Sequence, residues 1–319
     1  MKKICFKALL ILFVVSTIFI AGCGNNDGIS KNEEALDKEK LKVVATFYSM
    51  YDFTKNVAKD KADVQLLIPS GVEPHDWEPS PKDVKNIQSA DLFIYNSEHF
   101  ETWVPTIEKS LQKANTVFVK ASDGIRLIEG NEHDHEEEGH GHNHSHEVDP
   151  HVWLSPVLAQ KEVETITKAL IEADPDNQSY YEENSKEYIN KLKELDNEYR
   201  ASLENASSKE FITQHAAFGY LANEYGLKEM SISGLSPSQE PSPAKLAELK
   251  KFAKEHHVKV IYFEELASPK VAETLAKEIG AETEILSTLE GLSKESQDQG
   301  LDYLKVMKNN LKALEKSLH

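Results

Sequence analysis

Cysteine is almost absent from this sequence, because Cys5 and Cys23 are the only two in 319 residues. Both lie near the N-terminus, and the long remainder of the chain has none. That remainder therefore has no disulfide to stabilise its fold, and it offers neither a cysteine nucleophile nor a thiolate metal ligand.

Basic residues are also scarce, since 36 lysines and arginines stand against 54 acidic residues, for a formal net charge of −18. A chain this acidic is repelled by nucleic acids and by anionic lipid surfaces. The charge therefore excludes nucleic acid as an expected partner and favours cations.

Long apolar runs are missing except at residues 8–21, which follow a basic start at Lys2 and Lys3. This layout is typical of a secretory signal peptide, here residues 1–22. The run is marginal for spanning a bilayer, so an anchor helix is the less favoured alternative. Removal of the signal leaves 33 basic against 54 acidic residues, a formal charge of −21.

The signal ends in Ile20-Ala21-Gly22-Cys23, which resembles the bacterial lipobox. The resemblance implies cleavage before Cys23 and attachment of a lipid to its thiol. We therefore expect a protein anchored to the cell membrane on its extracytoplasmic face. Residues 23–40 have few apolar side chains, so they are expected to form the lipidated N-terminus and a flexible tether.

The rest of the chain alternates strand-like and helix-like segments, first in residues 41–174 and again in residues 208–319. Strands are predicted at 41–46, 62–68, 91–95, 116–120, 210–213, 228–232, 258–264 and 283–286. Helices are predicted at 51–59, 80–89, 103–113, 217–225, 243–256, 269–279 and 298–318. Such alternation predicts an α/β fold with two lobes, each a parallel sheet covered by helices.

Residues 175–207 separate the two predicted lobes. Apolar residues recur there at helical spacing up to about residue 205, on a background of Glu, Lys and Asn. The pattern indicates one long amphipathic helix that acts as a stiff spacer.

An acidic, histidine-rich stretch at residues 129–147 interrupts the first lobe and has no hydrophobic period, so we interpret it as an exposed loop. Its histidines are His133, His135, His140, His142, His144 and His146. Imidazoles interleaved with acids bind metal weakly near neutral pH. We expect an accessory metal loop that captures or passes the ion; a solvated insertion without a role is the alternative.

Three other histidines, His75, His151 and His215, follow predicted strands or the loop after the first lobe's last strand, and Glu290 follows the final strand. Ligands of open α/β sheets gather at the carboxyl ends of strands, so these side chains are candidates for a cleft between the lobes. Three imidazoles and one carboxylate form a four-coordinate set that suits Zn²⁺ better than Mg²⁺, Ca²⁺ or Mn²⁺.

The fourth position stays open at this point. Glu264 and Glu265 also end a predicted strand, and water is a further alternative. His99 is the rival histidine because it too lies beyond a strand end. The remaining histidines, His256 and His257, lie at the end of a predicted helix. Imidazole suits the negative end of the helix dipole there and needs no metal.

Four motifs carry a resemblance to a known family. They are Val72-Glu-Pro-His-Asp-Trp-Glu-Pro-Ser-Pro81, Asp149-Pro-His-Val-Trp-Leu-Ser-Pro156, Thr213-Gln-His-Ala-Ala-Phe-Gly-Tyr220 and Thr288-Leu-Glu290. With the acidic His-rich loop, they resemble the zinc-specific solute-binding lipoproteins of the cluster A-I (cluster 9) family over essentially the whole mature chain. The resemblance implies two (β/α)₄ lobes joined by one rigid helix, with metal held in the cleft between them.

By the same resemblance, His75, His151, His215 and Glu290 are the metal ligands. Manganese-binding members carry a carboxylate where this chain has His215, which points to zinc. The implied function is high-affinity, extracytoplasmic capture of Zn²⁺ and its delivery to an ABC transporter permease, by a monomer that is not an enzyme.

Two alternatives are a manganese or other transition-metal binder of this family with an adhesin role, and a secreted zinc hydrolase. The chain lacks His-Glu-x-x-His, which argues against the hydrolase. Because protons compete with metal for imidazole, zinc affinity is expected to fall as the pH drops through about 6.5.

Overall fold

The computed structural model describes residues 40–129 and 148–319. Within these two ranges, no helix combines the length and apolar character needed to cross a membrane. Several sequence predictions lie outside the described residues. These are the signal peptide, Cys23, most of the tether, and His133, His135, His140, His142, His144 and His146.

The first sheet contains four parallel strands in the order β2-β1-β3-β4. Its strands are β1 (Leu41–Ala45), β2 (Ala62–Leu66), β3 (Leu92–Tyr95) and β4 (Val117–Lys120), and its helices are α1 (Tyr48–Ala58), α2 (Pro81–Gln88) and α3 (Val104–Ser110). Every residue of β3 is buried, as expected for a parallel sheet covered on both faces. Helix α2 begins where the sequence indicates, because Ser80 forms a capping box with Asp83.

Two helices follow the first sheet in the chain. A 3₁₀ turn at Val152–Leu154 leads into α4 (Pro156–Ala173), and a second turn at Pro175–Asn177 leads into α5 (Gln178–Leu203). Sequence analysis did not predict α4, although Ser155 caps it through the backbone N–H of Leu158 and proline occupies its first position. The predicted long helix is confirmed as α5, whose 26 residues span about 39 Å.

The second sheet repeats the first, with parallel strands in the order β6-β5-β7-β8. Its strands are β5 (Glu210–Thr213), β6 (Lys228–Ser231), β7 (Val260–Phe263) and β8 (Glu282–Ile285), and its helices are α6 (Gly219–Tyr225), α7 (Pro243–Glu255), α8 (Lys270–Ile279), α9 (Lys294–Asp298) and α10 (Tyr303–Leu318). The predicted α/β architecture with two parallel sheets and a long helix is therefore confirmed.

The prediction of a single helix at residues 298–318 is wrong at its N-terminal end. The structure has α9 and α10 separated by Gly300, whose φ of +72° does not continue a helix, and by Asp302, which caps α10 through the N–H of Lys305. Helix α1 begins at Tyr48, three residues before its predicted start. The division of the chain at residues 174 and 207 stays a prediction.

One cluster of buried apolar residues joins the two sheets. It runs from β1 and α1 through the inner face of α5 to α10, with Tyr188, Leu195 and Tyr199 among its members. Hydrogen bonds also cross between the sheets near their carboxyl ends: the indole N–H of Trp153 donates to Thr288 O over 2.8 Å, and Ser49 Oγ donates to Leu289 O over 2.8 Å. The two carboxyl edges are therefore held together.

Candidate metal centre

Four loops bring the predicted ligands together at this shared edge. His75 lies between β2 and α2, His151 immediately before the turn that leads to α4, His215 after β5, and Glu290 after β8. One potential ligand atom from each residue lies within 4.8 Å of all the others. Each sheet thus contributes residues that are far apart in the sequence to one small volume.

Five of the distances among the Glu290 oxygen and the three imidazole nitrogens are nearly equal. Glu290 Oε1 lies 3.3 Å from Nε2 of His75, 3.3 Å from Nε2 of His151 and 3.4 Å from Nε2 of His215. His151 Nε2 lies 3.4 Å from Nε2 of each of the other two histidines. Ligands at about 2.0–2.1 Å from a tetrahedral zinc ion are about 3.3–3.4 Å from one another. The arrangement therefore fits the coordination sphere of Zn²⁺.

The site is enclosed on most sides. His151, His215 and Glu290 are buried, while the His75 side chain is 10% exposed. The Phe100 ring packs edge-on against His75 at 4.8 Å and against Trp153 at 5.0 Å, so an apolar wall stands beside the imidazoles. An ion in this position would be shielded from most water. Solvent would reach it past the His75 side chain, which is partly exposed.

Two carboxylates hold the histidine rings from behind. Asp149 Oδ1 accepts a hydrogen bond from His151 Nδ1 over 2.8 Å, and Glu264 Oε1 accepts one from His215 Nδ1 over 2.5 Å. A ring that donates from Nδ1 carries its lone pair on Nε2, the nitrogen that faces Glu290. These contacts therefore fix the tautomer that a metal ion needs.

Sequence analysis did not identify these orienting groups. Glu264, one of the alternative fourth ligands, lies behind His215 rather than among the four converging atoms. Asp149 begins the motif at residues 149–156, but its residue type alone does not indicate an orienting role. The Asp-x-His spacing was a usable signal, because Asp149 Oδ1 also accepts the backbone N–H of His151 over 2.9 Å.

The surroundings of the site shift the pKa values of Glu290, His151 and His215. Burial alone would raise the pKa of Glu290, but the three neighbouring histidines hold that pKa well below its usual range. Burial lowers the pKa of His151 and of His215, but the carboxylates around both rings outweigh it and the net shift is upward for each. Protons therefore compete with a metal cation for these two rings more strongly than for an ordinary imidazole.

The backbone at Leu289 is unusual. Its φ of +54° lies in the left-handed region, which costs a non-glycine residue free energy. The conformation is held by the bond from Ser49 Oγ to Leu289 O and by one from the N–H of Tyr48 to Glu290 O over 3.3 Å. These two bonds hold the backbone oxygens of Leu289 and Glu290 against the start of α1.

The other candidates lie elsewhere. His99 is exposed and is not among the converging residues. Glu265 is exposed and accepts a hydrogen bond from Ser296 Oγ over 2.9 Å. His256 is exposed and stacks on Phe252 at 4.2 Å between ring centroids. Among the described residues, these other candidates therefore lie outside the group of four converging side chains.

Residues 43–317 match a family of proteins described as ZnuA, zinc-uptake complex component A, periplasmic. The chain belongs to this family. The match spans both sheets and all four converging residues. The family consists of substrate-binding components of transport systems, so the protein is not an enzyme.

Individual relatives agree. The chain is 63% identical to the high-affinity zinc uptake system protein ZnuA of Bacillus subtilis over 316 residues, with 98% of each chain covered. It is 47% identical to the zinc-binding lipoprotein AdcA of Streptococcus pneumoniae, of which it spans 61% while 98% of this chain is covered. A crystal structure of the Zn(II)-bound ZnuA-like domain of that protein matches with 47% identity and a TM-score of 0.76, covering 88% of this chain and 99% of the domain.

Proposed function

We propose that His75, His151, His215 and Glu290 are the four ligands with which this zinc-uptake component captures Zn²⁺ outside the cytoplasm before delivering the ion to an ABC-type importer. The observation that carries the proposal is the spacing of 3.3–3.4 Å between Glu290 Oε1 and the three Nε2 atoms. Three nitrogens and one oxygen suit zinc, whereas Mg²⁺, Ca²⁺ and Mn²⁺ favour oxygen-rich sites.

A site of this kind suits binding better than catalysis. Four protein ligands close a tetrahedral sphere, while catalytic zinc sites keep a position free for water or substrate. A zinc hydrolase is therefore not favoured, in agreement with membership of a transport family. The manganese alternative is disfavoured by the three imidazoles. The geometry of the four described ligands does not bear on an adhesin role.

Release follows from the division of the ligands between lobes. His75 and His151 belong to the part of the chain around the first sheet, and His215 and Glu290 to the part around the second. Separating the lobes would leave each with two ligands and a much weaker hold on the ion. A permease that favours the open form would thereby obtain the zinc.

We also propose how the protein is anchored, organised and partnered. Cys23 carries a lipid that anchors the protein to the outer face of the cell membrane, and residues 23–40 tether the folded part to it. The folded part comprises lobes at residues 41–174 and 208–319 joined by residues 175–207, and it acts as a monomer. Its partner is the permease of a zinc importer.

The His-rich loop at residues 129–147 is proposed to capture zinc and pass it on, and to be dispensable for tight binding. Its six imidazoles, which precede His151 in the sequence, bind metal weakly and so raise the local concentration of the ion. Zinc uptake by cells should therefore be slower without the loop when the metal is limiting. Equal uptake with and without the loop would contradict the capture role.

X-ray absorption at the zinc edge tests the ligand set directly. The zinc-loaded protein lacking residues 130–147 should bind one ion, with three nitrogen ligands and one oxygen ligand at about 2.0–2.1 Å. Replacing Glu290 by glutamine should alter the oxygen contribution, and replacing His75 by alanine should remove a nitrogen. A sphere unchanged in both variants would overturn the assignment.

A further inference from the structure

Tyr220 links the second lobe to the segments on both sides of the His-rich stretch. Its hydroxyl donates a hydrogen bond to Asp149 O over 2.7 Å and accepts one from the N–H of Ile128 over 3.0 Å. The two segments are also bonded to each other, through Asp149 N to Ile128 O over 3.0 Å. One buried side chain on α6 therefore clamps both arms of the first lobe that flank the stretch.

The glycine before this tyrosine has a steric role at the same place. A Cβ atom on Gly219 would lie 2.6 Å from Asp149 Oδ2, closer than side chains normally approach. Glycine thus lets the start of α6 lie directly against the Asp149 carboxylate. Both the main-chain oxygen and the side chain of Asp149 are therefore positioned by two consecutive residues of the other lobe.

Asp149 passes this constraint to a zinc ligand. Its Oδ1 accepts hydrogen bonds from the backbone N–H and from Nδ1 of His151, and His151 Nε2 faces the other ligands. A continuous series of contacts thus runs from Tyr220 through Asp149 to the imidazole. It crosses from one lobe to the other and exists only while the lobes are together.

We infer that Tyr220 is a positioning residue for the zinc site, which fixes Asp149 so that His151 presents Nε2 to the metal when the lobes close. This inference rests on the proposed function, because it concerns how one of the four ligands is held. Lobe closure then does more than bring two pairs of ligands together. It also sets the orientation of His151, and opening the lobes removes that support as the ion leaves.

Tyr220→Phe is the direct test, because it removes the hydroxyl and keeps a ring that packs against Ile125 and Val152. Zinc affinity, measured by competition with a chelator, should fall about tenfold, the lower end of the range for groups that orient metal ligands. The visible absorption spectrum of the Co²⁺-loaded protein should change as well, because it reports ligand geometry.

Tyr225→Phe is the matched control. Tyr225 is buried on the same helix, and its hydroxyl donates to Asp196 over 3.1 Å, away from the four ligands. Tyr220→Phe loses two hydrogen bonds and Tyr225→Phe loses one, so both should lose some thermal stability. Only Tyr220→Phe should change zinc affinity and the Co²⁺ spectrum. Gly219→Ala should act in the same direction as Tyr220→Phe, by displacing the Asp149 carboxylate.

The outcomes separate this inference from the proposed function. Wild-type affinity and an unchanged Co²⁺ spectrum in Tyr220→Phe, together with loss of tight binding in His151→Ala, would overturn the inference and leave the proposed function intact. Retention of tight binding in His151→Ala would mean that the proposed ligand set itself is wrong. If Tyr220→Phe and Tyr225→Phe lowered affinity equally, the Tyr220 hydroxyl would contribute only to general stability. This result too would overturn the inference.

Discussion

Glu264 Oε1 lies 2.5 Å from Nδ1 of His215, on the edge of the ring opposite the nitrogen that faces Glu290. The imidazole thus stands between two buried glutamates, one behind it and one in front. These glutamates are two of the three carboxylates that the sequence offers as the fourth ligand, and they occupy different positions. Glu264 is placed to orient the ring, whereas Glu290 is placed to meet the metal.

Replacing Glu264 by glutamine should weaken zinc binding. The amide keeps the shape of the side chain but loses the charge that strengthens the bond to Nδ1, so affinity should fall about tenfold or more. Glu265→Gln is the matched control, since this neighbouring carboxylate is exposed and should leave affinity unchanged. Chelator competition measures both. Equal affinities in the two variants would count against an orienting role for Glu264.

Zinc affinity should decline with falling pH, and the decline should begin above the pH expected for free histidine. The pKa of His151 and of His215 is raised in the metal-free protein by the surrounding carboxylates, so protons compete with zinc at higher pH than usual. Competition titrations from about pH 8 to about pH 5 span the ordinary pKa of histidine, about 6.5. Constant affinity over this range would be incompatible with a site of three histidines.

Asp52 should make the stability of the metal-free protein depend on pH. Burial raises the pKa of Asp52 to about 6, although the hydrogen bond from Tyr188 acts in the opposite direction. Because the folded pKa lies above the unfolded one, the favourable contribution is complete at low pH and is lost as the pH rises from about 4 to about 6. The stability of Asp52→Asn relative to wild type should therefore increase across that window and then level off.

Urea denaturation at several pH values measures this difference, and Tyr188→Phe sharpens the test. Removing the hydroxyl removes a contact that lowers the pKa of Asp52. In the Tyr188→Phe background, the pH-dependent difference in stability that Asp52→Asn causes should therefore extend to higher pH. A relative stability of Asp52→Asn that is the same at all pH values would contradict the argument.

His257 should be replaceable by glycine with a gain in stability and no effect on zinc. It follows the end of α7 with a φ of +53°, and Val258 N–H donates to Ala253 O as in a Schellman motif. Glycine adopts this conformation without the Cβ penalty, so thermal unfolding should show stabilisation of about 0.5–1 kcal/mol. His257→Ala retains the Cβ and should not be stabilised, and reduced zinc binding in either variant would contradict the view that this exposed residue lies apart from the site.

Most strands and helices could be predicted because their signals are local. The predicted strand at residues 210–213 coincides with β5, and proline and serine mark the start of α2 and of α7. Helix α4 was missed although Ser155 and Pro156 give a comparable signal. The helix predicted at residues 298–318 started too early, because Asp298 ends α9 and Gly300, whose φ is positive, separates that helix from α10.

The site was predictable in part. Residue types and their places after strands selected His75, His151 and His215 but left the fourth ligand open. The family resemblance singled out Glu290, and the structure brings these four residues together. The groups that orient them could not be selected in this way. Glu264 meets His215 across 49 residues, and such a contact depends on how loops pack rather than on any local pattern.

The central claim is that tight zinc binding resides in the four converging residues and not in the His-rich loop. It is tested most directly by titrating zinc against a competing chelator in the mature protein without residues 130–147, alongside the same protein carrying His215→Ala or, as a control for an exposed histidine, His99→Ala. The account predicts one tight site that survives removal of the loop and His99→Ala but is strongly weakened by His215→Ala. If tight binding disappears with the loop and is indifferent to His215, the account is contradicted.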